Sequence, residues 1–207
     1  MPNAPSIVTN VNVQDYFHAQ LEASLAHQQV LLDLGTVHYL ARLLTEFSNP
    51  HQLFERSADG LDLKPLALHY AEAVHAEGAR QRNVALKRLG DIALFISGMF
   101  AGSLSRKVVN IDYYAAMGGA AYRDLHAQLA ASFGEVNAPT PFAELASKFL
   151  ALIDVLAEVA EESHLGVKPD LLRDYETWLR TGSPRAQLKL RRAGVVPSRA
   201  ATSLAHH

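Results

Sequence analysis

The sequence has no cysteine, one tryptophan and three methionines, and only 19% of its 207 residues are charged. Without cysteine the chain can form no disulfide, no iron–sulfur cluster, no thiolate zinc site and no cysteine nucleophile. It also lacks a long apolar run, because its most apolar segment, residues 92–104, is interrupted by two glycines and two serines. A segment of this length is too short to span a bilayer, so it predicts a buried helix and no membrane span.

Alanine and leucine are abundant, with 32 and 30 residues, whereas valine and isoleucine together number 20. This balance favours helices over strands, because unbranched side chains lose little rotamer freedom in a helix. The hydrophobic fraction of 49% is enough for one sizeable core and is unlike that of a disordered chain. No segment shows sustained alternation of apolar and polar residues, and no repeat is found. The composition therefore predicts an all-α protein.

Apolar residues that recur every three or four positions predict a single-domain bundle of seven to eight helices. The helices are expected at about residues 12–29, 34–47, 64–77, 79–105, 110–133, 141–165, 169–180 and 184–194. The fourth and fifth should form a central apolar hairpin, with the sixth beside it. Asp33 and Thr140 are suited to cap their helices, and residues 57–60 to form a loop. We expect one domain over residues 13–197, with flexible ends at residues 1–12 and 198–207.

The central hairpin contains a carboxylate beside its most apolar run, where an unpaired charge would be costly. Asp91 follows Arg88 by three positions and Lys87 by four, so either cation can pair with it on a helix. The structural interpretation is that Arg88, or Arg106 from elsewhere, neutralises Asp91. The functional interpretation is a ligand pocket with aromatic walls and a few polar groups, although the tyrosines can equally be core residues. The candidate pocket residues are Arg88, Asp91, Arg106, Asp112, Tyr113, Tyr114 and Tyr122.

The same two helices carry glycines in their interiors, at Gly98, Gly102, Gly118 and Gly119. Glycine lowers helix propensity by about 1 kcal/mol, so a glycine inside a helix usually allows another backbone or a ligand to approach closely. We expect helix–helix contact to be the cause, and the two glycine sites can lie against one another. A small-residue helix face of this kind can also mediate self-association.

Two Glu-x-x-His pairs match part of the ligand pattern of di-iron bundles, which need one such pair on each of two helices. They are Glu72 with His75 and Glu161 with His164. The positions that should face the core in the sixth helix exclude Glu161, and random spacing accounts for much of the match. These four residues are therefore weak candidates, and the sequence assigns neither a metal nor another cofactor.

The net charge of −2 is the sum of an acidic body and a basic end. Residues 1–165 carry 11 basic and 18 acidic side chains, and residues 166–207 carry 8 and 3. Arg185, Lys189 and Arg192 are spaced four and three apart, which places them on one helical face as a candidate basic patch. This face can contact phosphates, or it can dock the last helix on the acidic body. No aromatics are interleaved for base stacking, so a nucleic-acid partner is disfavoured.

Three stretches resemble an uncharacterised family of bacterial all-helical proteins. They are LGDIALFISGMF at residues 89–100, DYYAAMGGAAY at residues 112–122 and WLRTGS at residues 178–183. The similarity extends over residues 13–197. The resemblance implies one helical framework and brings no activity, cofactor or catalytic residue with it.

The sequence alone favours a non-enzymatic helical scaffold or interaction protein that self-associates or binds a protein partner. The first alternative is a helical enzyme that binds a small molecule or a metal, and the second is a nucleic-acid-binding protein that uses the basic C-terminal helix. Residues 1–12 contain no lysine, no arginine and no long apolar stretch, so they match neither a signal peptide nor a transit peptide. We therefore expect a cytoplasmic location.

Overall fold

Helices make up nearly all of the regular structure in the computed structural model. The structure describes residues 12–53, 55–57, 60–62, 64–100, 111–133, 140–162, 174–175, 178, 183–192 and 195. In chain order the elements are α1 (Val13–His27), α2 (Leu34–Phe47), α3 (Pro50–Leu53), β1 (Glu55–Ser57), β2 (Gly60–Asp62), α4 (Leu66–His75), α5 (Ala79–Met99), α6 (Ile111–Phe133), α7 (Pro141–Ser147), α8 (Phe149–Glu162) and α9 (Pro184–Arg192). The predicted all-α, single-domain bundle is confirmed.

Several predictions concern residues that the structure does not describe. The flexible ends lie outside the described residues, apart from Asn12, and so do residues 101–110 and most of the helix predicted at 169–180. None of the helices in the described ranges is both long enough and apolar enough to cross a membrane.

The core is built around α5, which packs against α4, α6 and α8. Every residue from Leu89 to Met99 is buried, and their side chains join those of α1, α2, α6 and α8 in one hydrophobic cluster. Residues 79–85, at the other end of the same helix, are exposed or half-buried. The expected hairpin of α5 and α6 is present, and its apolar surface is concentrated in the second half of α5.

The interior glycines let side chains of α8 approach α5 and α6. A Cβ atom added at Gly98 would lie 2.4 Å from Cβ of Leu156, and one at Gly118 would lie 2.4 Å from Cζ of Phe149. The nearest neighbours of each glycine are therefore α8 side chains rather than the other glycine. The small-residue faces at these two positions are used inside the fold, which leaves them no room for a second copy. Gly102 lies outside the described residues.

The first turn of α2 is held by a residue from another helix. Asp33 occupies the predicted cap position, but its side chain makes no capping hydrogen bond. Oε2 of Glu144 on α7 instead accepts hydrogen bonds from the Asp33 amide, at 2.9 Å, and from the Thr36 hydroxyl, at 2.7 Å. Lys148 donates to Oε1 of the same carboxylate and to the Leu31 carbonyl. The prediction for Asp33 was wrong in its mechanism, because a tertiary carboxylate supplies the acceptor.

The helix predicted at residues 141–165 is two helices, α7 and α8, with a break at Lys148. The backbone of Lys148 leaves the helical region (φ −107°, ψ 15°). The break lets α7 pack against α2 and α6 while α8 packs against α1 and α5. Thr140, the predicted cap of α7, makes no capping bond with its side chain and instead contacts Nδ1 of His126 at 2.9 Å.

Other local predictions were also wrong. Ser57 and Gly60, expected in a loop, instead pair with each other at the ends of two short antiparallel strands, β1 and β2, and residues 58–59 lie outside the described residues. Three-residue strands carry too little alternation to be recognised in a sequence. Val13, Tyr70 and Val74 fall on the apolar repeats that predict α1 and α4, where a core-facing position is expected, but each is exposed.

Candidate functional site

Asp91 carries the only carboxylate that is buried among the described residues, with 5% of the residue exposed. Its Oδ1 accepts hydrogen bonds from the hydroxyls of Tyr39, at 2.5 Å, and Tyr122, at 2.8 Å. Its Oδ2 accepts from Nζ of Lys87 at 2.5 Å. These donors lie on α2, α6 and α5, so one carboxylate connects three helices. We call Tyr39, Lys87, Asp91 and Tyr122 the Asp91 cluster.

Gly90 makes the contact between Tyr122 and Asp91 possible. A Cβ atom at this position would lie 2.6 Å from Cε1 and 2.7 Å from Cδ1 of the Tyr122 ring. Because glycine has no side chain, the ring lies against the backbone of α5 and its hydroxyl reaches the next residue. The dipeptide Gly90-Asp91 therefore supplies both the space for the ring and the acceptor for its hydroxyl.

Burial disfavours the charged form of Asp91, and the donors around the carboxylate stabilise that form. Burial raises the pKa of the Asp91 carboxyl above its ordinary value, and the charge and hydrogen bond of Lys87 oppose this rise. Burial, followed by the nearby Asp91 carboxylate, also raises the pKa of Tyr39 and Tyr122. Both tyrosines therefore remain hydroxyl donors at neutral pH, which is the state that Asp91 needs for its hydrogen bonds.

This geometry suits a structural role better than catalysis. Both oxygens of Asp91 are engaged by protein donors, and a substrate would have to displace one of them to bind. A buried carboxylate left without its partners would be costly. The Asp91 cluster therefore links helices, and its four residues take no part in the groove described below.

The predicted pocket residues do not assemble as expected. Arg88 does not neutralise Asp91, because its guanidinium donates to the Gln52 carbonyl and lies 5.0 Å from the centre of the Phe47 ring. Lys87 pairs with Asp91 instead, through the spacing of four. Of the seven predicted residues, the structure brings Asp91 and Tyr122 into direct contact.

The rest of the predicted pocket lies elsewhere. Asp112 and Tyr113 are exposed in the first turn of α6, and Tyr114 is half-buried. The rings of Tyr113 and Tyr114 contact each other edge-on, with centroids 5.8 Å apart. Arg106 lies outside the described residues.

The metal candidates are separated as well. Glu72 forms an ion pair with Lys64 and lies 3.6 Å from Nδ1 of His69, while His75 is exposed. Glu161 is exposed at the end of α8, and His164 lies outside the described residues. Within the described part of the chain, no group of three or more histidine, aspartate or glutamate side chains is arranged to hold a metal ion.

A groove of about 540 Å³ lies between α4 and the exposed half of α5. Arg80, Val84 and Arg88 line it from α5 at a spacing of four, and Val84 is 64% exposed. The acidic side chain in its lining, Glu72, is paired with Lys64, so the groove has a net positive charge. Its full lining is His69, Glu72, Ala76, Arg80, Gln81, Val84, Ala85 and Arg88. This groove was not predicted from the sequence, although the Arg-x₃-Val-x₃-Arg spacing of residues 80–88 was a usable signal.

The basic patch is partly used inside the fold. Nζ of Lys189 lies 3.2 Å from Oδ1 of Asp174, and Ala186 and Leu190 on the same helix are buried. Arg192 is exposed, and the side chain of Arg185 lies outside the described residues. Lys189 is therefore paired within residues 166–207, and both alternatives for the basic patch remain predictions.

Comparison with known proteins adds no family and no activity. No protein-family model, no curated protein and no solved structure matches the chain. The resemblance to a bacterial family therefore stays a prediction.

Proposed function

We propose that the protein is a non-enzymatic helical binding protein and that its binding surface is the groove between α4 and α5. The main support is the exposure of Val84 in the wall of this groove, with an arginine one turn away on either side. An apolar side chain in a groove with charged residues at its rim matches the apolar core and polar rim of protein interfaces.

The remainder of the bundle fits the role of a rigid support. The second half of α5 is buried on all sides, and the Asp91 cluster fixes it to α2 and α6. A groove built on such an anchored helix keeps its shape before the partner binds, which lowers the entropic cost of association. The proposal includes a cytoplasmic location, which cell fractionation would test.

The charge of the groove favours an acidic protein segment as the partner. Arg80 and Arg88 can pair with carboxylates placed on either side of an apolar residue that covers Val84. A second copy of the chain fits less well. If two α5 helices met in antiparallel orientation at Val84, Arg80 of each would face Arg88 of the other, and like charges would repel.

Site-specific photo-crosslinking in cells would test this proposal. A photoreactive amino acid replaces Val84 in the full chain, and the matched control carries it at Leu150, which is 62% exposed on α8. We expect adducts at position 84 that map to acidic peptides of one protein and disappear when Arg80, an exposed residue, is changed to glutamate. Equal adducts at both positions, adducts with nucleic acid or with the chain itself, or adducts that survive the charge reversal would refute the proposal.

A further inference from the structure

Two histidine side chains meet between α1 and α2, and neither belongs to the Asp91 cluster or to the lining of the groove. The rings of His18 and His38 contact each other edge-on, with centroids 4.7 Å apart and an interplanar angle of 66°. His18 is partly buried, whereas His38 is exposed. Solvent can therefore reach the pair from the side of His38.

Each ring has an acceptor next to its Nδ1 atom. Nδ1 of His38 lies 2.8 Å from the carbonyl oxygen of Leu34, which can only accept, so this nitrogen carries the proton. Nδ1 of His18 lies 3.5 Å from Oε2 of Glu22, one turn along α1. With the proton of each neutral ring at Nδ1, the Nε2 atoms of both rings have their lone pairs available.

The Nε2 atom of His18 is buried and has no hydrogen-bond partner. A buried polar atom in this state is rare in folded proteins and calls for an explanation such as an ion. Metal-binding histidines characteristically use one ring nitrogen for the ion, while the other donates to a carboxylate or a backbone carbonyl. Glu22 and Leu34 provide these two kinds of acceptor.

We propose that His18 and His38 form a binding site for a divalent transition-metal ion of the Cu²⁺, Ni²⁺ and Zn²⁺ class. Neutral imidazole suits these ions, whereas Mg²⁺, Ca²⁺ and Mn²⁺ prefer oxygen ligands. The pair supplies two nitrogen ligands, and water takes the remaining positions. The ion would join α1 to α2, so its binding stabilises the folded state.

Calorimetric titration of the full chain with Cu²⁺, Zn²⁺ and Mn²⁺ would test the site. Thermal melting with and without Zn²⁺ would show whether binding stabilises the fold. Both the parent and its variants carry alanine in place of His206 and His207, because this adjacent pair at the C-terminus could bind metal by itself. We expect one ion per chain, tighter binding of Cu²⁺ than of Mn²⁺, a higher Tm with Zn²⁺, and two nitrogen ligands in the electron paramagnetic resonance spectrum of the Cu²⁺ form.

Three variants separate this site from general surface binding. His38→Ala should abolish binding, and because His38 is exposed this variant should fold normally. Glu22→Gln should weaken binding by roughly tenfold, as expected for loss of an acceptor behind a ligand. His75→Ala, at an exposed histidine on α4, should change nothing. The site is refuted if the parent binds neither Cu²⁺ nor Zn²⁺, or if His38→Ala binds them as tightly as the parent.

Discussion

The two halves of α5 belong to one continuous helix but have different surroundings. Residues 79–85 are polar or small, contact α4, and leave Val84 largely exposed. The half from Leu89 to Met99 is buried on all sides, and its glycines at positions 90 and 98 admit the Tyr122 ring and Leu156. The difference shows how one helix can combine a fixed support with an accessible surface.

The boundary between the two halves is the ion pair of Lys87 and Asp91. The Lys87 side chain is 37% exposed, whereas that of Asp91 is 6% exposed, so the ammonium reaches from solvent to a carboxylate in the core. The stem of Lys87 also brings its ammonium to 5.2 Å from the centre of the Tyr39 ring. Substitutions on the buried side of this boundary should therefore destabilise the fold, and those on the exposed side should affect binding alone.

The largest effect is expected for Asp91→Ala, which removes the acceptor of two tyrosine hydroxyls and the partner of Lys87. Leaving buried donors unsatisfied should lower the free energy of unfolding by about 2–4 kcal/mol. Urea denaturation would measure the loss. Asp154→Ala on the exposed surface of α8 is the control, and it should stay within about 0.5 kcal/mol of the parent. Similar values for the two variants would contradict a linking role for the Asp91 cluster.

A smaller loss is expected for Gly98→Ala, because the new methyl group would overlap Leu156. Overpacking of this kind costs about 1–3 kcal/mol. Gly35→Ala on α2 is the matched control, since an added Cβ meets no atom within 4 Å there. It should stabilise the protein by up to about 1 kcal/mol, because alanine is the better helix former. In thermal melting, the two variants should shift Tm in opposite directions. A rise in Tm for Gly98→Ala would argue against the tight α5–α8 contact.

Lys87→Met should cost about 1 kcal/mol near neutral pH, a small value because the ammonium is partly exposed and screened by solvent. The raised pKa of Asp91 means that the folded state holds this proton more tightly than the unfolded chain. The contribution of Asp91 to stability therefore falls as the pH rises from its ordinary pKa to the raised one. Loss of Lys87 raises the pKa of Asp91 further, so the penalty should shrink on acidification. A penalty independent of pH between about 4 and 7 would show that the two charges are not coupled.

The smallest effect on stability is expected on the exposed half, for Val84→Asp and Arg80→Glu. Each should change the free energy of unfolding by no more than about 0.5 kcal/mol, because neither side chain is buried. Arg80→Glu, combined with the photoreactive amino acid at position 84, should nevertheless reduce the crosslinks, and Val84→Asp should weaken capture of the partner that these crosslinks identify. Chemical denaturation, run beside the crosslinking assay, would show whether these substitutions change binding without changing the stability of the fold. A destabilisation as large as that of Gly98→Ala would mean that this half also belongs to the core.

Helix bounds and ion pairs within one helix could be predicted from the sequence, because they depend on local pattern. The bounds of α2 follow from the apolar period between Leu34 and Phe47 and from the Ser-Asn-Pro stop that comes after it. The Lys87–Asp91 pair was one of two choices allowed by helical spacing. Arg88 was the other choice, but its guanidinium contacts the Phe47 ring and the Gln52 carbonyl, which lie on other elements.

Tertiary contacts could not be predicted from the sequence. Tyr39 lies 52 positions before Asp91, and nothing in the local pattern connects them. Glu144 holds the start of α2 from 111 positions away, in place of the cap expected at Asp33. Leu66, Tyr70 and Val74 share one apolar repeat in α4, yet of the three only Leu66 is buried, because the neighbouring elements decide which apolar residues are covered.

Native-state hydrogen exchange along α5 would test the central claim most directly, since one measurement compares both halves in the same helix. We predict that the amides from Ile92 to Met99 exchange only through global unfolding, while those from Arg82 to Leu86 exchange faster through local opening. Addition of the partner should slow only the second group. Equal protection along the whole helix, or faster exchange from Ile92 to Met99, would contradict the division of α5 into a fixed support and an accessible surface.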